Sequence, residues 1–224
     1  MTVPGRREPL AVDDLRVRRG GRDVLAGLAL RIDAGEAVLV VGANGSGRST
    51  LVAALAGLLP RYGEVRVAGR LVAPSTAAGA VRAGLVAVPE RRQLFPHLSV
   101  EDHLILGLYA LGPRLVPAAR RRVAAGSVYD LFPVLRERRR QPAGTLSGGE
   151  QQMLAVGRAL ISRPTVLLLD EPFLGLGPAA ARGLAQSLAT LRADGRAVLL
   201  IDDHQERGSA VADRVLTLHD GQLS

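Results

Sequence analysis

The stretch Gly42-Ala43-Asn44-Gly45-Ser46-Gly47-Arg48-Ser49-Thr50 decides the fold of this 224-residue chain. It follows an apolar run at 36–41 and precedes a run of good helix formers that begins at Leu51. A strand, a glycine-rich turn and a helix are the context that a phosphate-binding loop requires. The turn points successive backbone N–H groups at one oxyanion, and the helix adds its positive end. The stretch therefore predicts a nucleotide-binding α/β fold.

The residues of this loop that we expect to contact the nucleotide are Gly42, Asn44, Gly45, Ser46, Gly47, Arg48, Ser49 and Thr50. The Ser49 hydroxyl is expected on Mg²⁺, and Thr50 is expected to face the α-phosphate. Arg48 stands where the motif requires Lys, and the two side chains are not equivalent at a phosphate site. All 29 basic residues of the chain are Arg. Arg48 therefore reflects either a drift of the whole composition or a selective loss of ATPase activity.

Composition restricts the class of protein. A length of 224 residues suits one α/β domain with a sizeable core. Hydrophobic residues make up 47% of the chain, yet no apolar run reaches the roughly 18 residues of a membrane span. We expect no signal peptide, and the absence of Cys fits a cytoplasmic location. The net charge of +8 admits nucleic acid or an anionic membrane as partner, but 3% aromatic residues are too few for base stacking.

A pair of glycines opens a second helix. Ser147 is a good N-cap, and Glu150 occupies the capping-box position three residues later. A capped helix accounts for these two residues. It does not account for Gly148 and Gly149, because glycines at a helix start cost stability unless the backbone must approach something. We therefore expect a second helix end that faces phosphate.

Two carboxylates follow the apolar strand at 165–169. Burying Asp170 is costly unless a cation such as Mg²⁺ pairs with it. Glu171 would then lie where it can polarise a water molecule next to the γ-phosphate. Together with an upstream phosphate loop, the pair predicts a nucleotide-hydrolysing site.

The remaining pattern predicts the order of the elements. An edge strand is expected at 12–17, and further strands at 24–32, 64–69, 85–89, 197–201 and 215–218. The helix after the phosphate loop should stop near Pro60, and Ser99 should cap a helix that runs through Leu108. The Arg-rich stretch 112–141 is either a solvated helical face or a lobe that presents basic residues to phosphate or a partner.

The motifs together resemble those of the ATP-binding-cassette (ABC) ATPases. They are the loop 42–50, the signature 146–152 with the sequence Leu-Ser-Gly-Gly-Glu-Gln-Gln, and the strand 167–172. The resemblance covers essentially the whole chain. A narrower similarity, carried by 88–91, 131–138 and 174–178, is to the ATP-binding subunits of branched-chain amino-acid importers. It is greatest to the second of two such subunits, and urea and amide importers share much of the pattern.

The resemblance implies a P-loop NTPase cassette that forms a single domain over 1–224. A RecA-like core sheet and an N-terminal antiparallel β subdomain would occupy about 1–89 and 162–224. A helical signature subdomain would occupy about 90–161. The implied cofactors are ATP and Mg²⁺, with Ser49, Asp170 and Glu90 around the metal ion and Glu171 as the catalytic base.

The same resemblance implies the partners. The chain would form a head-to-tail dimer with a sister ATPase, or a homodimer, beneath two membrane permeases that a solute-binding protein supplies. Each ATP would lie between the loop of one chain and Ser147, Gly148, Gly149 and Glu150 of the other. The protein would be peripheral, at the cytoplasmic face of the plasma membrane, and would bind no nucleic acid.

Two further positions depart from the family pattern. Near Arg19 the family usually places an aromatic residue that stacks on adenine, and the guanidinium plane would either stack there or point to solvent. The switch histidine of the family falls on Asp203 when counted back from 212–214. His204 follows one residue late, and a one-residue bulge would restore it to the catalytic position.

Three functions follow from these observations. The first is a transport ATPase subunit that powers amino-acid import. The second is a catalytically weak nucleotide-binding subunit that supports a sister ATPase. The third is a nucleic-acid-associated cassette ATPase, motivated by the net charge of +8. It is disfavoured, because such proteins generally carry two cassettes or a long coiled insertion and this chain has room for neither.

Overall fold

The computed structural model describes residues 8–73, 76–111, 126–203 and 205–224. The β-strands are β1 (Leu10–Arg19), β2 (Arg22–Ile32), β3 (Ala37–Val41), β4 (Tyr62–Val67), β5 (Arg70–Leu71), β6 (Leu85–Val88), β7 (Val166–Asp170), β8 (Ala197–Ile201), β9 (Arg214–His219) and β10 (Gln222–Leu223). The α-helices are α1 (Arg48–Leu55), α2 (Ala77–Ala83), α3 (Val100–Leu106), α4 (Ser127–Leu131), α5 (Pro133–Glu137), α6 (Gly148–Leu160), α7 (Pro178–Ala193) and α8 (Gln205–Ser209).

The core sheet has the order β10-β9-β3-β8-β7-β6. The strands from β9 to β6 pair in parallel, and β10 adds an antiparallel edge. Every residue of β7 and β8 is buried, because helices or a second sheet cover both faces. This double burial explains why the sequence shows continuous apolar runs there and no alternation.

Alternate residues of the core strands face two separate hydrophobic clusters. Leu39, Leu167 and Leu200 pack with residues of α3, α6 and α7 on one face. Their chain neighbours Leu168 and Leu199 pack with α1 and the antiparallel strands on the other face. Because successive side chains of a strand point to opposite faces of the sheet, the same strands pack against both layers.

The antiparallel sheet has the order β2-β1-β4-β5. The prediction of an edge strand at 12–17 is wrong, because β1 pairs with β2 on one side and with β4 on the other. The register of β1 shifts between Val12 and Leu15, and Asp14 has a left-handed φ of 50°. This bulge interrupts the alternation of buried residues, so the sequence pattern understates how much of the strand is covered.

Two helices end earlier than the sequence predicts. The helix α1 ends at Leu55 and not near Pro60, and Gly57 beyond it has a left-handed φ of 73°. The helix α3 ends at Leu106 and not at Leu108. A Cβ at Gly107 would lie 2.0 Å from the carbonyl oxygen of Arg158, so only glycine fits where α6 approaches the end of this helix.

The division at about 90–161 stays a prediction, although α3 to α6 all fall within that stretch. Of the Arg-rich stretch 112–141, residues 112–125 lie outside the described part of the structure. The rest forms α4, α5 and the turn before Ala143. In the described part of the chain, no helix combines the length and apolar character that a membrane crossing requires.

Candidate nucleotide site

The predicted phosphate loop borders an open cleft of about 660 Å³. The residues that line it are Arg19, Val24, Asn44, Gly45, Gly47, Arg48, Ser49, Thr50, Glu90, Glu171 and Asp203. The structure therefore brings the loop residues together with the distant Arg19, Glu90 and Glu171. The predicted site residues Gly42, Ser46 and Asp170 are not among the described residues that line the cleft.

Sheet topology explains this assembly. The strands β3, β8 and β7 are parallel neighbours, so their carboxyl ends meet at one edge of the core sheet. The phosphate loop follows β3, Asp170 ends β7, and Asp203 comes shortly after β8. Glu90 follows β6 at the same edge. Each strand thus leads to a polar group of the same cleft, which for β7 is Glu171, directly after Asp170.

Glycines give the phosphate loop its tight course. A Cβ at Gly42 would lie 2.6 Å from both the carbonyl oxygen of Leu218 and Oγ of Ser46. Gly47 has a left-handed φ of 104°, and a Cβ there would lie 3.2 Å from Val24. The helix α1 begins at the next residue, with a hydrogen bond of 2.8 Å from the Leu51 N–H to the Gly47 carbonyl. Larger residues at Gly42 and Gly47 would therefore displace the loop.

Arg48 is almost completely buried, with 7% of the residue exposed. Its Nη2 donates to Oδ1 of Asn44 at 3.2 Å and lies 3.7 Å from Oε1 of Glu171. The side chain therefore turns back over the loop and bridges it to the end of β7. Both contacts are made by this one nitrogen, so they do not use the planar fork by which arginine differs from lysine.

Two buried polar atoms of the loop make no hydrogen bond to any residue that the structure describes. They are Oγ of Ser46 and Nη1 of Arg48. Because a buried donor without a partner is costly, such atoms point to a ligand that completes them. Both are donors beside a helix N-terminus, so the missing partner is best supplied by an anion such as phosphate.

Burial and mutual repulsion raise the pKa values of the two carboxylates at the end of β7. Burial, followed by the charges of Glu171 and Glu90, raises the pKa of Asp170 to about 6, and Arg48 opposes this rise. Burial and the nearby Asp203 raise the pKa of Glu171, again against Arg48. Glu171 also has a left-handed φ of 47°, and its N–H donates to the Ile201 carbonyl at 2.7 Å. The site thus concentrates negative charge that a bound cation would offset.

These residues fit a Mg²⁺ ion that is shared with phosphate. Asp170 is a buried carboxylate with a raised pKa, and Ser49 is an exposed hydroxyl in the cleft. The described residues contain no cluster of three or more His, Cys, Asp or Glu side chains that could enclose a metal ion by themselves. Mg²⁺ usually takes one or two protein ligands and fills its other positions with substrate phosphates and water.

The signature forms the N-terminus of α6 as predicted. Oγ of Ser147 accepts from the Glu150 N–H at 3.3 Å, and the Glu150 carboxylate accepts from the Ser147 N–H at 2.8 Å. This capping box confirms the predicted helix start. Gly149 has a packing reason that the sequence did not reveal, because a Cβ there would lie 2.7 Å from Ala180 on α7. A role of Gly148 and Gly149 toward phosphate stays a prediction.

The signature does not line the cleft. Among the described residues around the cleft, none belongs to the segment 147–150. One neighbour of the signature was missed by sequence reasoning, namely Arg138, whose Nε lies 3.0 Å from Oε1 of Glu150. No local spacing signals this ion pair, because it joins the turn after α5 to α6.

Two departures from the family pattern have different outcomes. Arg19 is exposed and lines the cleft, so both the stacking and the solvent interpretations remain open. Asp203 lines the cleft as well. The alternative switch residue His204, predicted to be catalytic, lies outside the described residues.

The fold and the site define a phosphate-loop ATPase cassette. Residues 25–174 match the family model described as ABC transporter. The chain therefore belongs to the ABC transporter family and is an ABC-type ATPase. The predicted family is confirmed.

Relatives of known name and solved structures support this membership. The high-affinity branched-chain amino acid transport ATP-binding protein BraG of Pseudomonas aeruginosa is 37% identical over 96% of this chain and 90% of its own length. The aliphatic sulfonates import ATP-binding protein SsuB of Pseudomonas entomophila is also 37% identical, over 96% of this chain and 74% of its own. A nucleotide-free ATP-binding cassette from an ABC transporter has a TM-score of 0.83 at 24% identity, covering 96% of this chain and 89% of that one. This similarity confirms the predicted fold class.

Proposed function

We propose that the chain is the ATP-hydrolysing subunit of an ABC importer for branched-chain or other hydrophobic amino acids. ATP binding would close a head-to-tail dimer with a sister subunit or a second copy, and hydrolysis would reopen it. This motion would drive two membrane permeases, to which a solute-binding protein delivers the solute. The chain would act at the cytoplasmic face of the plasma membrane.

One observation carries the dimer proposal. The cleft holds the phosphate loop and Glu171, whereas the signature at 147–150 is not among its lining residues. A nucleotide bound in the cleft would therefore not be contacted by the signature of the same chain. A second chain that brings its own signature to this cleft would complete the site, and two chains would complete two sites.

The residues of the cleft support hydrolysis. The loop would hold the phosphates through its backbone N–H groups, Ser46 and Arg48. Asp170 and Ser49 would hold Mg²⁺, which when bound supplies positive charge to the phosphate oxygens. Glu171 would accept a proton from the attacking water, and its raised pKa makes the carboxylate a stronger base than an exposed glutamate.

The proposed solute rests on the relatives. BraG, whose name specifies branched-chain amino acid transport, matches 96% of this chain. Other relatives of similar identity are named for aliphatic sulfonates or phosphonates, so the importer class is supported more strongly than the solute. An importer of urea or amides remains the alternative solute class.

A surface groove fits a membrane partner. It has a volume of about 710 Å³ and is lined in part by Phe95, Leu106 and Tyr109. These side chains are large and apolar, yet they are 57%, 37% and 68% exposed respectively. Because the groove adjoins the segment that follows Glu90, a permease helix seated there would contact the same segment that borders the nucleotide cleft.

A catalytically weak accessory subunit is the second candidate. It is favoured by the contact between Arg48 and Glu171, because an arginine engaged with the proposed base is less available to phosphate. In this case the signature of the chain would serve a site that the sister ATPase powers.

Phosphate release from Mg-ATP tests the two candidates. We expect the purified native chain to turn over well above a Glu171→Gln control, with Arg48→Lys measured beside it. Turnover by Arg48→Lys alone would establish the accessory role. If neither the native chain nor Arg48→Lys releases phosphate alone, these two proteins and the Glu171→Gln control are measured again with the permeases and the sister subunit. No phosphate release in any of these mixtures would exclude both candidates.

A further inference from the structure

Arg92 connects three segments that surround the nucleotide site. Its Nε donates to Oε1 of Gln152 at 2.9 Å, and Nη1 lies 3.5 Å from Oε1 of Gln151. Both glutamines belong to α6 and are the last two residues of the signature 146–152. Its Nη2 donates to the carbonyl of Leu174 at 3.4 Å, three residues after Glu171. One guanidinium thus reaches the signature helix and the segment after the proposed base.

The third segment is the one that carries Arg92 itself. Glu90, two residues earlier, lines the nucleotide cleft. The segment 90–93 therefore has the cleft at one end and the signature helix at the other. A cleft of about 440 Å³ lies where these segments meet, with Gln151 and Leu174 among its lining residues.

The backbone of this segment is fixed on the other side. Arg158 of α6 donates to the carbonyls of Arg92 and Gln93 at 2.9 and 2.8 Å. His103 of α3 is fully buried, and its Nε2 accepts from the Phe95 N–H at 2.9 Å. The segment is therefore held rigidly against α6 and α3, so a displacement at Glu90 would reach those helices.

The conformation of Arg92 indicates that its position is imposed. Arg92 and Gln93 have left-handed φ values of 56° and 47°. This conformation is unfavourable for side chains of this kind and persists where surrounding contacts hold it. An ordinary surface arginine needs neither the strained backbone nor three acceptors on two other segments.

We propose that Arg92 is a positioning residue that couples occupation of the nucleotide cleft to the orientation of the signature helix. ATP would act on Glu90, and Arg92 would carry the resulting shift to α6 through Gln152 and to the segment after Glu171 through Leu174. The inference rests on the proposed function, in which the signature of one chain meets the nucleotide of another.

The test compares Arg92→Ala with Arg91→Ala, each combined with Glu171→Gln so that ATP is bound but not consumed. Arg91 is the adjacent, exposed arginine and controls for loss of charge in the same segment. Binding of a fluorescent ATP analogue reports on the cleft, and amide hydrogen exchange at 147–153 with and without Mg-ATP reports on the signature helix. We expect nucleotide affinity within about twofold in both variants. We expect Mg-ATP to protect 147–153 in the Arg91→Ala protein and not in the Arg92→Ala protein.

A double-mutant comparison in the active background sharpens the test. Arg92→Ala and Gln152→Ala should each lower kcat by about tenfold with little change in KM, and the double variant should be no worse than either. Effects that multiply, or a response at 147–153 equal to that of the Arg91→Ala protein, would overturn the role of Arg92. If Glu171→Gln alone gains no protection with Mg-ATP, the proposed function fails, and this inference fails with it.

Discussion

Nη2 of Arg48 lies 3.7 Å from Oε1 of Glu171, and both side chains are largely buried at the edge of the nucleotide cleft. The same nitrogen donates to Asn44 within the phosphate loop. The loop and the proposed base are thus joined by one guanidinium, whose charge opposes the effect of burial on the pKa of Glu171. This relationship gives Arg48 an electrostatic consequence beyond phosphate binding.

Removing the charge of Arg48 should move the pH dependence of turnover. Glu171 must be ionised to act as a base, so kcat falls as the pH falls through the pKa of its carboxyl group. Burial and Asp203 raise that pKa, and Arg48 lowers it. Arg48→Gln should therefore shift the acid limb of kcat to higher pH, whereas Arg48→Lys should shift it less. Steady-state phosphate release from pH 5 to 9 measures the acid limb of kcat in the native protein and in each variant. Acid limbs that coincide in the native and Arg48→Gln proteins would contradict the electrostatic role.

Glu171→Gln should separate binding from hydrolysis. Loss of the general base should lower kcat by about 10²- to 10⁴-fold, while the phosphate loop still binds nucleotide. Phosphate release and the affinity for a fluorescent ATP analogue measure the two effects. Glu64→Gln is a suitable control, because Glu64 is exposed on the antiparallel sheet and pairs with Arg66. Normal turnover of the Glu171→Gln protein would assign the base to another residue.

Asp170→Asn should stabilise the nucleotide-free protein. The pKa of Asp170 rises from an ordinary 3.8 to about 6 on folding. Such a group favours the folded state most below pH 3.8, and this contribution is lost as the pH rises through about 6. The asparagine side chain stays neutral at pH 7.5, so folding no longer buries a charged carboxylate there. The unfolding free energy at pH 7.5 should therefore increase by about 1–2 kcal/mol after allowance for solvent screening.

Urea unfolding of the Asp170→Asn and native proteins at pH 7.5 and pH 4.5 measures this gain, which should shrink at the lower pH. Mg-ATP turnover should be lost in the same variant. A destabilised Asp170→Asn protein at pH 7.5 would show that hydrogen bonding of the carboxylate outweighs the cost of its burial.

Ser147 and Ser99 offer a matched pair of helix caps. Oγ of Ser147 accepts from the Glu150 N–H at 3.3 Å, and Oγ of Ser99 accepts from the Asp102 N–H at 3.1 Å. Substitution of either by Ala should lower the unfolding free energy by about 1 kcal/mol. Only Ser147→Ala should also lower Mg-ATP turnover, because Ser147 is proposed to contact the nucleotide of the partner chain. Equal turnover in the two variants would show that Ser147 caps the helix and does not contribute to ATP turnover.

Local chemistry explains which parts the sequence predicts well. The phosphate loop, the capping box of Ser147 and Glu150, and the buried strand that ends at Asp170 depend on residues close together in the chain. Their glycines, caps and apolar runs therefore carry the signal. Because parallel strands deliver their carboxyl ends to one edge, these local features also predict most of the cleft.

Long-range contacts explain the rest. The close approach of α6 requires a glycine at 107, directly after α3, and a bulge near Asp14 hides the interior position of β1. Arg92 and Arg138 act on α6 through side chains whose partners only the tertiary structure brings near. In a chain whose basic residues are all Arg, composition gave no reason to single out these two.

Because the phosphate loop and the signature of one chain are separate, a complete ATP site of the proposed dimer would contain residues of both chains. In the proposed dimer, a gene encodes one loop and one signature, but the two halves would serve different ATP molecules. A substitution in the loop would then impair the ATP site that this loop forms, and a substitution of Ser147 would impair the site on the loop of the partner chain. In a dimer of two different chains, a substitution in the loop and a substitution in the signature of the same chain would therefore impair different ATP sites.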